Sequence, residues 1–313
     1  MKKIVVFGSF ITDLTAYVDK MPILGETLMG KQFRIGPGGK GSNQGIAAHR
    51  AGVEVIMAVR VGTDIFSNVA LDFYGKEGLS IEYVIRDPAH QTGIALIEVD
   101  THTGQNEIVV VPGACNYFSQ QEVEKVGNLL DENTILVTQL EINEDANEQV
   151  IAMAKQRGST VILNPAPAHV LPVSLLRNVD IVTPNETETK TLTGIDVQDG
   201  KMASLRRAAR FFFNTGVQKV VITLGSKGAY CNNGTEEFII PAYQFGTAVD
   251  CTGAGDAFNG GLAAGLAKGM SFADSARYAA VIAGLSVTRY GTAPAMPIEK
   301  EIDEVYTTLS VKE

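Results

Sequence analysis

The chain has 313 residues, 45% of them hydrophobic and 19% charged, with a formal net charge of −9. That length suits one large α/β domain carrying an insertion, and that apolar share can bury a sizeable core, which argues against a disordered chain. The acidic balance argues against a nucleic-acid or anionic-membrane partner, because no basic stripe exists to release counterions. Lys2 and Lys3 followed by Ile4 to Phe7 open like a targeting signal, but Gly8, Ser9, Thr12 and Asp13 end the apolar run too early. No window approaches a membrane span. Three widely spaced cysteines, Cys115, Cys231 and Cys251, fit reduced thiols in a cytoplasmic protein. His49, His90, His102 and His169 lack ligand spacing, which argues against a structural metal site.

Ile4 to Phe7 is a continuous apolar run ending in Gly8-Ser9, the pattern of a strand buried on both faces of a parallel sheet. Asp13 follows just past its carboxyl end, where open α/β sheets place ligands, and reads either as a turn residue or as a substrate ligand. From Tyr17 to Ile35 come Pro22, Gly25, Gly30 and short alternating pieces, Thr27-Leu28-Met29 and Gln32 to Ile35, which predict small strands. Thr92 to Asp100 and Glu107 to Val111, around a Thr103-Gly104 turn, predict a second hairpin that pairs with the first as a small sheet over the site.

Gly36-Pro37-Gly38-Gly39-Lys40-Gly41-Ser42-Asn43-Gln44 runs into a small-residue helix, Gly45 to Ala51. Gly36-x-Gly38-x-x-Gly41 has the dinucleotide spacing, but the run before it is short and the opening strand lacks the fingerprint. A phosphate-loop reading fails because Lys40 is followed by Gly41 rather than Ser or Thr. What remains is a glycine turn that presents Lys40 and Asn43 at a helix N-terminus, either to a polyhydroxylated or anionic small molecule or simply to start the helix.

After Val111 strand and helix alternate, as in a doubly wound parallel sheet. Strands are predicted over 134–140, 160–163, 179–183 and 219–224, with a helix over 145–157. The strands end in Glu141, Asn164, Pro184-Asn185 and Gly225, on one edge of the sheet, which is therefore the site. Asn185-x-x-Glu188 reads either as a capping box, like Ser119-x-x-Glu122 and Ser271-x-x-Asp274, or as a pair belonging to that site. Asp250-Cys251-Thr252-Gly253-Ala254-Gly255-Asp256 precedes a small-residue helix over 257–267. Such a turn offers unpaired amides and the positive end of the helix dipole to an anion. Asp256 there either caps the helix or takes a proton from a substrate hydroxyl beside a bound phosphate.

Gly38-Gly39-Lys40-Gly41-x-Asn43, Asn185-x-x-Glu188 and Asp250-x-x-Gly253-Ala254-Gly255-Asp256 occur together and in order. With Gly25-Glu26-Thr27, Asn164-Pro165-Ala166-Pro167 and Val287-Thr288-Arg289-x-Gly291, the chain resembles the ribokinase-like sugar kinases of the phosphofructokinase-B type over essentially its whole length. Within that family it most resembles ribokinases and deoxyribokinases. The resemblance implies an α/β body of residues 1–13, 44–91 and 111–313, a mostly parallel sheet flanked by helices. It also implies a small β lid of residues 14–43 and 92–110 that pairs two subunits as a homodimer.

The same resemblance implies Asp256 as the base for the sugar's primary hydroxyl, and amides around Gly253, Ala254 and Gly255 as an anion hole for phosphate transferred from ATP. It implies that Asn185 and Glu188 organise Mg²⁺ and phosphate through waters, and that Thr223, Gly225, Lys227 and Gly228 form the nucleotide-side loop. Asp13, Gly39, Lys40, Asn43 and Glu141 match sugar-binding positions. Asp250, Thr252, Ser286, Arg289, Gly291 and Ala295 match a K⁺ site built mostly of backbone carbonyls, with Ala295 where relatives often carry Ser.

Ile11 stands where ribokinases carry Asn and deoxyribokinases an apolar residue. It either removes one sugar contact or only packs under the site, so both ribose and 2-deoxyribose stay open as substrates. A nucleoside or other sugar kinase on the same fold, a dinucleotide-dependent oxidoreductase using Gly36 to Gly41, and a non-catalytic sugar sensor are the alternatives. Retention of Asp256, Gly253 and Gly255 argues against the sensor. Cys251 is either a turn-filling residue or an oxidation-sensitive thiol.

Overall fold

The computed structural model describes residues 1–103 and 105–310; Gly104 of the predicted Thr103-Gly104 turn lies outside the described residues. The first strands are β1 (Lys3–Gly8), β2 (Ile11–Val18), β3 (Gln32–Gly38), β4 (Val55–Gly62), β5 (Val84–Asp87), β6 (Gly93–Asp100) and β7 (Asn106–Val111). They are followed by β8 (Thr134–Thr138), β9 (Thr160–Leu163), β10 (Ile181–Val182), β11 (Lys219–Thr223), β12 (Ala229–Asn232) and β13 (Glu237–Ile240). The first five helices are α1 (Lys40–Arg50), α2 (Ser67–Glu77), α3 (Gln120–Gly127), α4 (Glu144–Gln156) and α5 (Val173–Leu176). The rest are α6 (Glu186–Thr193), α7 (Met202–Thr215), α8 (Ala254–Ala267), α9 (Phe272–Ser286) and α10 (Glu299–Ser310).

Nine strands form one sheet in the order β13-β12-β11-β10-β9-β8-β1-β4-β5, parallel from β11 to β5 with an antiparallel β12–β13 edge. In β1 the apolar run is continuous because both faces are covered. Ile4 and Val6 pack with α1, α2, α8 and α9 through Ile46, Tyr74, Leu262 and Ala279, while Val5 and Phe7 pack with α3, α4 and α7 through Val123, Val150 and Phe212. The chain builds outward from β1 in two directions, to β4 and β5 and to β8 onward, so the switch point lies between β1 and β8.

α8 is rich in small residues because it lies against two helices at once. A Cβ at Gly260 would strike the Gln44 carbonyl and Ala47 of α1, and one at Gly261 would come within 2.8 Å of Ala279 Cα in α9. This closeness brings the first turns of α1 and α8 side by side.

Four strands form the small sheet, in the order β3-β2-β6-β7. Its bounds differ from those expected at 14–43 and 92–110. Ile11 already pairs with Gly38 and Gly93, and after Gly39, with φ 85°, the chain turns into α1, which packs on the large sheet. Asp13 consequently sits within β2, not in a turn after β1. Thr27 to Met29 form no strand; with Met29 largely exposed, they have no neighbouring strand to pair with.

Candidate active site

Glu141, just after β8, meets the end of β1 and the start of α1. Its Oε2 accepts the Ser9 hydroxyl (2.5 Å) and the Lys40 backbone N–H (2.9 Å), and the Ser9 hydroxyl oxygen accepts Gly41 N–H at 3.3 Å. A carboxylate therefore occupies the positive end of α1. The tight turn before it requires glycine, since a Cβ at Gly39 would come within 2.6 Å of Ile11 N at a positive φ.

Asp256 does not cap α8. Gly253, with φ 80°, makes the N-terminal residue of that helix, and the Asp256 carboxylate turns to α1 instead. Asn43 Nδ2 donates to its Oδ2 and Gln44 Nε2 to its Oδ1, both at 2.9 Å. The Ala254 N–H donates to the Cys251 carbonyl at 3.2 Å. That leaves Gly253 and Gly255 with N–H groups that meet no protein acceptor among the described residues. Asn259, in the next turn, donates to the Gly255 carbonyl (2.8 Å) and accepts the Thr183 hydroxyl (2.6 Å).

A cleft of about 190 Å³ joins these groups, lined by Lys40, Asn185, Glu188, Thr223, Gly253, Gly255 and Asp256 together with Asn164, Ala166, Thr183 and Asn259. Asn185 and Glu188 form the full capping box, Asn185 Oδ1 accepting Glu188 N–H and Glu188 Oε2 accepting Asn185 N–H, each at 2.8 Å, and they also line the cleft. Cap and site are one structure here. Thr223 bridges to Asn185, and Gly225 to Lys227 form a single 3₁₀ turn at the end of β11. Lys227 Nζ is turned to the Gln198 carbonyl at 3.0 Å, while Gly228 passes so close to the Ile240 carbonyl that no side chain fits.

Charge is crowded in and beside the cleft, with Lys40, Glu188 and Asp256 lining it and Asp13 and Glu141 next to it. Burial pushes the Asp13 carboxyl up to about 7; a Thr292 hydroxyl bond opposes this, and Glu141 and Asp256 add to it. Burial likewise raises Glu188 against the Asn185 N–H and Lys40, with Asp256 adding to the rise. For Lys40, burial pulls its ammonium down, but Asp256, Glu141 and Glu188 outweigh it and hold it above the ordinary lysine value. One cation thus faces several carboxylates.

Asp250 ties two segments together: Oδ1 accepts Thr252 N–H (2.9 Å) and Oδ2 accepts Gly291 N–H (3.0 Å). The carbonyls of Thr252, Gly291 and Ala295 accept no backbone N–H among the described residues, which fits oxygens available to a monovalent cation. The side chains of Ser286 and Arg289 are used elsewhere, on the Ala283 carbonyl and on Glu301. The carbonyls flanking Ala295, those of Pro294 and Met296, accept from Arg50. Among the described residues no group of three or more His, Cys, Asp or Glu is placed to hold a metal.

Thr292, Asn164, Thr183, Asn259 and Gln44 escaped the sequence reading as site residues. Thr292 links the small sheet to the body, its hydroxyl lying 3.1 Å from the Pro37 carbonyl and 3.4 Å from Asp13 Oδ2. Only the strand-end position of Asn164 gave a clue. Ile11, by contrast, is 2% exposed and packs on Gly93 beneath the small sheet. Cys251 is exposed in the turn.

A buried carboxylate in the first turn of a small-residue helix, two free amides beside it and a glycine turn carrying a lysine thus meet at one cleft. The pfkB family carbohydrate kinase model matches residues 1–299. The chain belongs to that family. It is 35% identical to the ribokinase of Haemophilus influenzae, over 96% of this chain and 97% of that one, and 34% identical to the deoxyribokinase of Salmonella typhi over the same shares. The solved structure of Arabidopsis thaliana ribokinase, complexed with ribose and ATP, superposes with a TM-score of 0.88 at 30% identity, covering 97% of this chain and 98% of that one. The doubly wound body and the separate small sheet are thus family features, and the protein is a carbohydrate kinase. No helix among the described residues is long and apolar enough to cross a membrane.

Proposed function

We propose that this kinase transfers the γ-phosphate of ATP to the primary hydroxyl of a pentose, D-ribose or 2-deoxy-D-ribose. The observation that carries the reading is the Asp256 carboxylate, buried and held by Asn43 and Gln44 at the edge of a cleft whose Gly253 and Gly255 amides are free. Similarity to a ribokinase and a deoxyribokinase supports the pentose.

In this reading Asp13, Asn43 and Glu141 hold sugar hydroxyls, with Gly39 and Lys40 in the turn beneath, and Lys40 offsets phosphate charge. The primary hydroxyl oxygen forms a bond to the γ-phosphorus as the bond from that phosphorus to the β-phosphate's bridging oxygen breaks. The hydroxyl proton passes to Asp256, and ADP leaves. A carboxylate is a weak base for an alcohol, so proton transfer is late and positioning with electrostatics carries most of the rate. The N–H groups of Gly253 and Gly255, at the positive end of α8, meet the charge of the transferring group; Ala254 shapes the turn. Thr223, Gly225, Lys227 and Gly228 border the nucleotide.

Mg²⁺, when bound, neutralises the β- and γ-phosphates, which a cleft with one lysine among several acids requires. Asn185 and Glu188 would orient its waters. Asp250, which fixes Thr252 and Gly291 through their N–H groups, would set their carbonyls around a K⁺ ion with those of Ala295 and Arg289, and with that of Ser286, which also accepts the Arg289 N–H at 3.2 Å. The assay that tests the substrate is coupled ADP release with ATP, Mg²⁺ and K⁺, run against ribose and 2-deoxyribose. With Ile11 in place of a hydrogen-bonding side chain, kcat/KM is expected to favour 2-deoxyribose by about tenfold. A preference for ribose makes Ile11 a packing residue, and inactivity on both sugars overturns the pentose reading. Unchanged rates with a large organic cation in place of K⁺ remove the potassium site.

The small sheet is proposed as a lid that also pairs two chains. Register places Ile35, Leu14, Leu96 and Val109 in one row across its four strands, on the face opposite Asp13. Ile35, Leu96 and Val109 are 52, 48 and 61% exposed, a continuous apolar face that a second copy would cover. Sedimentation of the native protein is expected to show a dimer, and Leu96→Lys a monomer. A monomeric native protein contradicts the pairing.

A further inference from the structure

Gln44 is fully buried, so it reaches neither sugar nor nucleotide, yet it holds one oxygen of the proposed base. Its Nε2 donates to Asp256 Oδ1 at 2.9 Å and to Asn164 Oδ1 at 3.0 Å, while its Oε1 accepts from Gln139 Nε2 at 2.8 Å. This orientation has no alternative. An ionised carboxylate only accepts, and Asn164 directs its own Nδ2 to the Thr183 carbonyl at 3.2 Å, so both groups facing Gln44 Nε2 are acceptors. Gln139 is anchored through its backbone, while its side-chain Oε1 is buried without a protein partner. Its backbone carbonyl accepts Asn147 Nδ2 at 2.6 Å, and Asn147 Oδ1 accepts the Thr138 hydroxyl at 2.7 Å.

The terminal torsion of an aspartate is broad and nearly two-fold, so its own rotamer does not set the plane of the carboxylate; its neighbours must. Asn43 is one such neighbour, but its Oδ1 is buried without a protein partner, so its amide lacks a brace. Gln44 has two. We propose that Gln44 is a positioning residue for phosphoryl transfer, its amide locked by Gln139 and Asn164 so that Asp256 keeps one carboxylate plane and presents its remaining lone pairs to the cleft. The proposal rests on the reading of Asp256 as the proton acceptor.

Gln44→Met keeps the volume and removes both donors. It is expected to lower kcat per folded molecule about 100-fold, the scale of a small misplacement of a reacting group, with KM for pentose and ATP within about threefold. A packing role alone would reduce the folded fraction, read by thermal unfolding, and leave kcat per folded molecule native. That result, or a loss confined to KM, overturns the proposal. Should Gln44→Met not fold, Gln139→Met leaves the two donor bonds of Gln44 and removes the brace behind them. A fall in kcat of about tenfold at native KM is then expected, and native kcat overturns the proposal. Asp256→Asn, assayed alongside, separates the two claims. Near-native turnover there overturns the base assignment itself, whereas an inactive Asp256→Asn beside a native Gln44→Met overturns only the positioning role.

Discussion

Replacing Asp256 with Asn is expected to lower kcat by at least about 10³-fold while the Kd for pentose stays within about threefold of native. The change is nearly isosteric and removes the only carboxylate among the described residues that both lines the cleft and lies at the head of α8. Late proton transfer means the ground-state complex hardly uses its basicity, so the loss falls on turnover. The substitution has a structural cost too. Both oxygens of Asp256 accept amide N–H groups, from Asn43 and Gln44, and one of these donors would face the new NH₂ group. An unmade buried bond of that kind costs about 1–3 kcal/mol of stability, small beside the loss of rate but visible in thermal unfolding. Initial rates by ADP release and sugar titration by calorimetry read the two quantities separately. Near-native kcat at native Kd would remove Asp256 from the chemistry.

What the sequence made legible follows a physical division. β1, β8, β9 and β11 announce themselves because strands covered on both faces must be continuously apolar, and their polar ends mark the site edge of the sheet. The small sheet is harder to delimit. Only Ser9 and Phe10 separate β1 from β2, and Gly8 at the corner looks like the end of a strand followed by a turn, so a second strand starting at Ile11 in another sheet goes unseen.

In the site, Lys40, Asn43, Asn185, Glu188 and Asp256 sit in short motifs whose spacing encodes a turn and a helix start. Gln44 was in plain view within one of those motifs. Its partners Gln139 and Asp256 lie 95 and 212 positions away, a pairing that no local pattern reports. The two capping questions also divide on tertiary contact. Among the described residues the Asn185 side chain bonds only to Glu188, and it caps its helix, whereas the Asp256 carboxylate is drawn to two amides of α1.

Asp13→Asn is expected to stabilise the sugar-free enzyme near neutral pH and to weaken its grip on the sugar. Burial raises the folded-state value of Asp13 from 3.8 to about 7, with Glu141 and Asp256 adding and only the Thr292 hydroxyl opposing. The unfolded chain loses this proton near its usual value, so between that value and about 7 the folded state holds a proton that the unfolded state does not. Stability therefore falls as pH rises through that window, and the full deficit is present above about 7. The side chain keeps some solvent, which screens the effect, so the deficit is put on the order of 2 kcal/mol.

Asparagine carries no such penalty. Its stabilisation should be seen at about pH 8 and vanish at about pH 4, as read by the unfolding midpoint. Sugar binding runs the other way, because an ionised Asp13 accepts hydroxyl bonds that a protonated or amidated one makes less well. Pentose affinity of the native enzyme is expected to tighten as pH rises through about 7, and Asp13→Asn to weaken it at pH 8 by about 10- to 100-fold. An Asp13→Asn variant stabilised equally at both pH values, or not at all, would mean that Asp13 is not protonated in the folded enzyme. If the midpoint behaves as expected but sugar affinity is unchanged, Asp13 is a buried acid of the small sheet rather than a ligand to the sugar.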